Sequence, residues 1–270
     1  MTPDTSLRAV VLDLDGTLYR GSTPIPGASE VVARLRRAGF SIHFFSNNPS
    51  RTPGAYVERL ASMGVSATES EVLTAGTLTA SYLADDHAGE RCYVVGTDDL
   101  RAQLRRAGVA VTTDPAEVDV LVGSWTDDFD YGTMTTVLRA AESDTPFVGT
   151  DPDRTFPSDD GPLPGSGAIV AALAGVLDRD PDLVVGKPSD YAVAAVLDAV
   201  DASPGDCLVV GDRLSTDVRL GERAGTTTAL VLSGVTDRAD VEASSIRPDY
   251  VLDSVADLDR VAGLDRVFDE

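Results

Sequence analysis

The sequence predicts an α/β protein, an open parallel-sheet core into which a second, smaller α/β domain is inserted. Three observations carry this. Short apolar runs rich in β-branched residues alternate with segments of helical periodicity, the pattern of strands joined by helical crossovers. From about residue 76 to 185 the chain repeats that alternation on its own account. A length of 270 residues is also long for a single core, which favours an insertion or a second domain. The expected division is core 1–76, inserted domain 77–185 and core 186–270, with turn-rich loops near 74–76 and 185–186 as the boundaries.

The opening run, Val10-Val11-Leu12, reads as a buried strand that stops abruptly at Asp13-Leu14-Asp15-Gly16-Thr17-Leu18-Tyr19. Side chains two apart on extended backbone point the same way, so Asp13 and Asp15 converge on one spot. Two carboxylates that close repel each other, and such a pair persists mainly where a cation or a shared proton makes use of it. Taken alone, the same residues also fit a strand-to-loop corner with solvated acids. Gly16 lets the chain turn sharply and offers its N–H to an anion.

Pro26-Gly27 precedes a helix in which Val31, Val32, Leu35 and Ala38 share one face and which Gly39 ends. A strand over 41–45 follows and runs into Ser46-Asn47-Asn48-Pro49. Strand, helix, strand is a βαβ unit, so the two strands are parallel and Ser46 arrives at the edge that carries Asp13. The next helix, 53–63, closes at Gly64.

In the inserted stretch, strands are expected at 92–95, 118–122 and 146–148, and helices at 98–107 and 131–141. A loop of turn formers over 150–165 leads to a helix at 167–177. Residues 183–185 lead back to the core with Gly186-Lys187-Pro188, a helix at 190–200, a strand at 207–210, and Gly211-Asp212-Arg213-Leu214-Ser215-Thr216-Asp217. A helix to Ala224, a strand at 227–232, and a short strand and helix near 251–258 complete the pattern.

A net charge of −22, from 44 acidic and 22 basic residues, argues against a nucleic-acid or anionic-membrane partner. All but one of those bases are arginine; strong acidity with arginine in place of lysine is the pattern of adaptation to high intracellular salt. Cys92 and Cys207 stand far apart with no C-x-x-C pattern, so a disulfide framework and a thiolate metal site are not expected, and a reduced, cytoplasmic setting fits. Residues 1–6 lack the basic segment and apolar core of a secretory leader. The longest apolar stretch, 168–177, is too short to span a bilayer and reads as a buried helix.

In open parallel sheets, ligands bind outside the carboxyl ends of the strands. Four such ends carry polar groups here: Asp13/Asp15, Ser46/Asn47, Lys187 and Asp212/Asp217. Asp13 and Asp212, with a backbone carbonyl and waters, suit a hard cation such as Mg²⁺. The Ser46 hydroxyl, backbone N–H groups and the Lys187 ammonium suit a phosphate. Singly, Ser-Asn-Asn-Pro is an ordinary turn, Gly211-Asp212 fits a helix cap and Asp217 a solvated helix residue. Lys187 is different. The one lysine left in an arginine-rich chain marks a place that needs a compact point charge and not a planar fork.

With these four motifs in order, the chain resembles the haloacid dehalogenase superfamily, and within it the NagD-like branch that includes p-nitrophenyl phosphatases and phosphoglycolate phosphatases. The resemblance covers nearly the whole chain. It implies a Rossmann-like core with an inserted α/β cap, and a Mg²⁺-dependent phosphohydrolase acting on small phosphomonoesters. Asp13 would be the nucleophile and Asp15 the acid and base. The Mg²⁺ would be held by Asp13, the Asp15 carbonyl and Asp212, and the phosphate by Ser46, the Asn47 N–H and Lys187, with Gly16 and Asp217 in support. Relatives often associate through their caps, so a homo-oligomer is implied. Where the family usually has Thr-Asn-Pro-Asp, this chain has Thr150-Asp151-Pro152-Asp153.

Metal-free carbon–halogen hydrolysis on the same fold is disfavoured by the carboxylates at Asp15 and Asp212. A phospho-accepting signalling or binding module without turnover is disfavoured by Asp15 and the large insert. There is no Gly-x-Ser-x-Gly elbow, and Lys187 is not in a Gly-x-x-x-x-Gly-Lys loop. His43 and His87 read as structural or exposed, and Trp125 and Tyr131 as core or as pocket walls.

Overall fold

The structure, a computed structural model, describes residues 7–158 and 161–268. The reading of 1–6 therefore lies outside the described residues. Six parallel strands form the core sheet in the order Tyr250–Leu252, Thr227–Val231, Cys207–Gly211, Ala9–Leu12, Ser41–Ser46 and Val72–Thr74. Every residue of Ala9–Leu12 is buried, because both faces of the sheet are covered. On one face Val10, Leu12, Phe44 and Val210 pack with Val31, Val32 and Leu35 of the helix Ala28–Arg37 and with Leu252, Val255 and Leu258 of the tail. On the other, Ala9, Val11, Phe45 and Val209 pack with Ala192, Val196 and Leu220, and this cluster continues into Val94, Val120 and Val122 of a second sheet. Leu12 is in register with Phe44 on one neighbour and Val210 on the other. The loops after these three strands, carrying Asp13, Ser46 and Asp212, consequently leave the sheet side by side.

The second sheet has five parallel strands in the order Leu183–Val184, Phe147–Gly149, Val120–Gly123, Arg91–Val95 and Ala110–Thr112. The helix Ser166–Leu177 buries Ile169, Val170 and Leu173 against it.

Several elements depart from the sequence reading. The loop expected near 74–76 is the start of a helix, Ala75–Asp86, in which Thr74 and Thr77 cap each other and Leu78, Thr79, Ala80 and Leu83 are buried. Its alanine- and threonine-rich composition hides the periodicity. The strands Val72–Thr74 and Ala110–Thr112 have three residues each, too few for alternation to register. The turn-rich stretch 150–165 contains a two-stranded ribbon, Thr155–Ser158 with Gly161–Pro164, in which Pro157 lies opposite Pro162. Prolines argue against strands in sequence because they cannot donate to a ladder; a ribbon paired on one side only tolerates them. The helix to Ala224 opens as a π-helix, Leu214–Val218, the helix expected near 251–258 is the 3₁₀ segment Val255–Arg260, and a further short helix, Asp265–Phe268, follows it.

Candidate active site

Asp13 continues the central strand, its N–H donating to the Val210 carbonyl at 2.8 Å. Beside it, Asp212 and Asp217 bring carboxylate oxygens to within 4.8 Å of one of Asp13. Lys187 answers this charge. Its buried Nζ donates to Asp13 Oδ1 at 2.6 Å, to Asp217 Oδ1 at 2.6 Å and to the Phe45 carbonyl at 2.9 Å. Burial works against the ammonium, but Asp13 and Asp217 outweigh it and raise its pKa, so Lys187 stays charged. Burial pushes the Asp13 carboxyl well up, against the pull of Lys187, and pushes Asp212 up to about 7 with help from Asp217. Three close carboxylates against one ammonium leave a surplus of negative charge on hard oxygen donors, which fits a divalent cation.

Each sequence-predicted residue is found at this edge. Asp15 is half-buried. Its Oδ2 accepts from the Tyr19 hydroxyl at 3.2 Å, and burial raises its pKa. Its side chain is not one of the three clustered carboxylates, so any part it takes in holding a cation falls to its backbone carbonyl. Ser46 Oγ lies 2.9 Å from the Tyr56 hydroxyl. The Asn47 side chain straps the lysine loop in place: its Oδ1 accepts from the Lys187 N–H at 2.8 Å and its Nδ2 donates to Asp153 Oδ2 at 3.1 Å. At Gly16, φ is +93° and an added Cβ would lie 2.3 Å from Asp212 Oδ2, so only glycine serves there. Asp217 Oδ2 accepts from the Arg213 N–H at 3.0 Å. Trp125 lines the cavity over these residues, in edge-to-face contact with Phe156, whereas Tyr131 is 81% exposed and lies outside it. His43 is buried in its strand with Ser41, and His87 sits at the end of a helix beside Glu90.

Sequence reasoning missed two features. After the strand Thr227–Val231 the chain passes under Asp212: the Val235 N–H donates to Asp212 Oδ2 at 2.6 Å, and a Cβ on Gly234 would lie 1.9 Å from that oxygen. A Ser-Gly pair one step past a core strand, at the edge already carrying the motifs, was the available signal. Arg213, read only as part of a motif, reaches the inserted region, with Nη1 3.7 Å from Asp153 Oδ1 and Nη2 donating to the Thr155 carbonyl at 2.7 Å. In the same segment Asp151 is fully buried. Burial and the neighbouring Asp153 push its carboxyl up to about 8.

Comparison with known proteins agrees with this fold. The profile of the haloacid dehalogenase-like hydrolases matches residues 10–110, and that of the HAD-hydrolase-like group matches 184–258. The sugar-phosphatase AraL of Bacillus subtilis is 32% identical, covering 94% of this chain and 92% of its own length. The structure of a p-nitrophenyl phosphatase from Archaeoglobus fulgidus superposes with a TM-score of 0.86 at 37% identity, covering 95% of this chain and 98% of that one. A glycerol phosphate phosphatase from Mycobacterium tuberculosis, solved in complex with calcium, gives 0.82 at 29% identity, covering 93% and 74%. The chain belongs to the haloacid dehalogenase-like hydrolases. Within that family it sits among the phosphoric monoester hydrolases. Among the described residues no helix is long and apolar enough to cross a membrane.

Proposed function

We propose that the protein is a magnesium-dependent phosphomonoester hydrolase that acts on small phosphorylated metabolites through an aspartyl-phosphate on Asp13. The observation that carries this reading is Lys187 held between Asp13 and Asp217 beside Asp212, all at the carboxyl edge of the core sheet. In the first step an Asp13 carboxylate oxygen attacks phosphorus, the bond from phosphorus to the leaving oxygen breaks, and Asp15 gives that oxygen its proton. A carboxyl raised by burial suits this donor role. In the second, Asp15 takes a proton from water, the water oxygen attacks phosphorus, and the bond to Asp13 breaks, releasing phosphate. Lys187, Ser46 and the Asn47 N–H bind the phosphoryl oxygens where charge collects. Asp13, Asp212 and the Asp15 carbonyl would hold the Mg²⁺, which when bound offsets charge between nucleophile and phosphate. Asp217 orients Lys187, and Gly16 leaves room for Asp212.

On this reading residues 77–185 are a cap over the core segments 1–76 and 186–270, excluding water and reading the leaving group. The acidic, arginine-rich composition supports a halophilic, cytoplasmic enzyme, and association through the caps is the oligomeric form this reading favours. Acid quench of Asp15→Asn during turnover should trap a hydroxylamine-sensitive acyl-phosphate absent from Asp13→Asn. No such adduct in Asp15→Asn would remove the covalent step.

A further inference from the structure

Seven aspartates and three cations line the cavity above the site, a space of about 350 Å³. Two of the cations are engaged: Lys187 by Asp13 and Asp217, and Arg213 by Asp153 and the Thr155 carbonyl. The third, Arg51, makes no ion pair among the described residues. Its exposed side chain stands over the ring of Tyr56, 6.0 Å from the centroid, and the Tyr56 hydroxyl is the group beside Ser46 Oγ.

The loop that carries Arg51 is fixed from three directions. Gln103 Nε2 donates to the Pro49 carbonyl at 3.2 Å and to the Ser50 carbonyl at 2.9 Å, and the Thr97 hydroxyl donates to Ser50 Oγ at 3.1 Å. The Ser50 N–H donates to Asn48 Oδ1 at 2.9 Å. Behind it, a Cβ on Gly76 would lie 2.2 Å from the Pro49 carbonyl oxygen, so the helix Ala75–Asp86 packs against this backbone too closely for any other residue. The inserted region thus braces the turn from which Arg51 projects.

Its place relative to the chemistry follows from the cavity itself: Arg51 lines the same space as Asp15, Ser46 and Lys187, over the ring whose hydroxyl is beside Ser46. The leaving group of a phosphate bound by Lys187 and Ser46 would extend into the space that Arg51 lines. A guanidinium without a carboxylate partner, in a cavity otherwise dominated by acids, is a receptor for an anion. Without it, the acids would repel any second negative charge on the substrate.

We propose that Arg51 binds a second anionic group, a carboxylate or a phosphate, on the leaving group, so that the substrate is a small phosphomonoester with two anionic ends. This rests on the phosphatase reading above. The experiment measures steady-state kcat/KM of wild type, Arg51→Ala and Arg51→Lys on two matched pairs. The first pair is 3-phosphoglycerate and glycerol 3-phosphate, which differ in a carboxylate. The second is fructose 1,6-bisphosphate and fructose 1-phosphate, which differ in a phosphate. Wild type should prefer the doubly anionic member of one pair by about tenfold or more, and the pair that does so names the anion. Arg51→Ala should collapse that ratio to within about twofold, chiefly through KM, and Arg51→Lys should keep part of it. A ratio unmoved by Arg51→Ala, or a wild type without preference in either pair, overturns the assignment of Arg51 while hydrolysis of the singly anionic esters leaves the phosphatase reading intact. No hydrolysis of any of the four, or of p-nitrophenyl phosphate, by wild type overturns that reading and this inference together.

Discussion

Lys187 Nζ lies 2.6 Å from Asp217 Oδ1, with both side chains almost wholly buried. The same ammonium is 2.6 Å from Asp13 Oδ1, so one cation neutralises part of two carboxylates that would otherwise be stranded. Lys187→Met should therefore destabilise the fold by about 3–5 kcal/mol, the cost of leaving buried charge uncompensated, and reduce turnover by about 10³-fold or more. The double variant Lys187→Met/Asp217→Asn should recover part of the stability and none of the activity. Denaturant melts check this, and a single variant as stable as wild type would contradict it.

Gly234→Ala should weaken metal activation while leaving every residue of the proposed site unsubstituted. The new methyl would occupy the space of Asp212 Oδ2, the oxygen that the Val235 N–H holds at 2.6 Å. The expected outcome is a concentration of Mg²⁺ for half-activation raised about tenfold or more, with residual turnover recovering at saturating metal. An unchanged Mg²⁺ titration would show that Asp212 is free to move.

Asp151 makes stability depend on pH in a direction opposite to the ordinary one for a carboxylate. Burial and Asp153 push its carboxyl up to about 8, above the usual aspartate value of 3.8, so the folded chain keeps a proton that the unfolded chain releases between them. The resulting stabilisation is fully present below the unfolded value and is lost as pH rises through the folded one. Asp151→Asn, neutral throughout, removes that loss. Relative to wild type it should gain stability from pH 6 to pH 9, read as diverging thermal midpoints; parallel curves would contradict the assignment.

The parts legible in sequence were those where one local requirement dominates. Ala9–Leu12 and Cys207–Gly211 are buried along their whole length, so their apolar runs announce strands, and the polar residues that end them are conspicuous. Asp13, Ser46 and Asp212 could be grouped because parallel topology brings core strand ends to one edge, whereas Lys187 follows Leu183–Val184, an edge strand of the second sheet, and stood out as the one lysine in the sequence. The helix Ala75–Asp86 was hidden because tertiary contact replaces pattern there: Gly76 is set by the Pro49 carbonyl, and Thr74 by its cap. Gly234 was hidden because it serves a residue 22 positions away, through space and not through any motif. Asp15 was expected to converge with Asp13, but the folded chain keeps its side chain out of the cluster of Asp13, Asp212 and Asp217.

Salt should stabilise the protein over a wide range. With a net charge of −22, self-repulsion opposes folding, and it is screened over about 10 Å at 0.1 M salt but about 3 Å at 1 M. The thermal midpoint should rise steadily from 0.1 M to molar KCl. A flat or falling midpoint would contradict adaptation to high salt.

The most direct test of the central claim is hydrolysis of p-nitrophenyl phosphate in molar KCl, with Mg²⁺ or with EDTA, by wild type and Asp13→Asn. Wild type should turn over with Mg²⁺ and lose that turnover in EDTA, and Asp13→Asn should lose it by about 10⁴-fold with the thermal midpoint retained. Turnover by Asp13→Asn at the wild-type rate would contradict it.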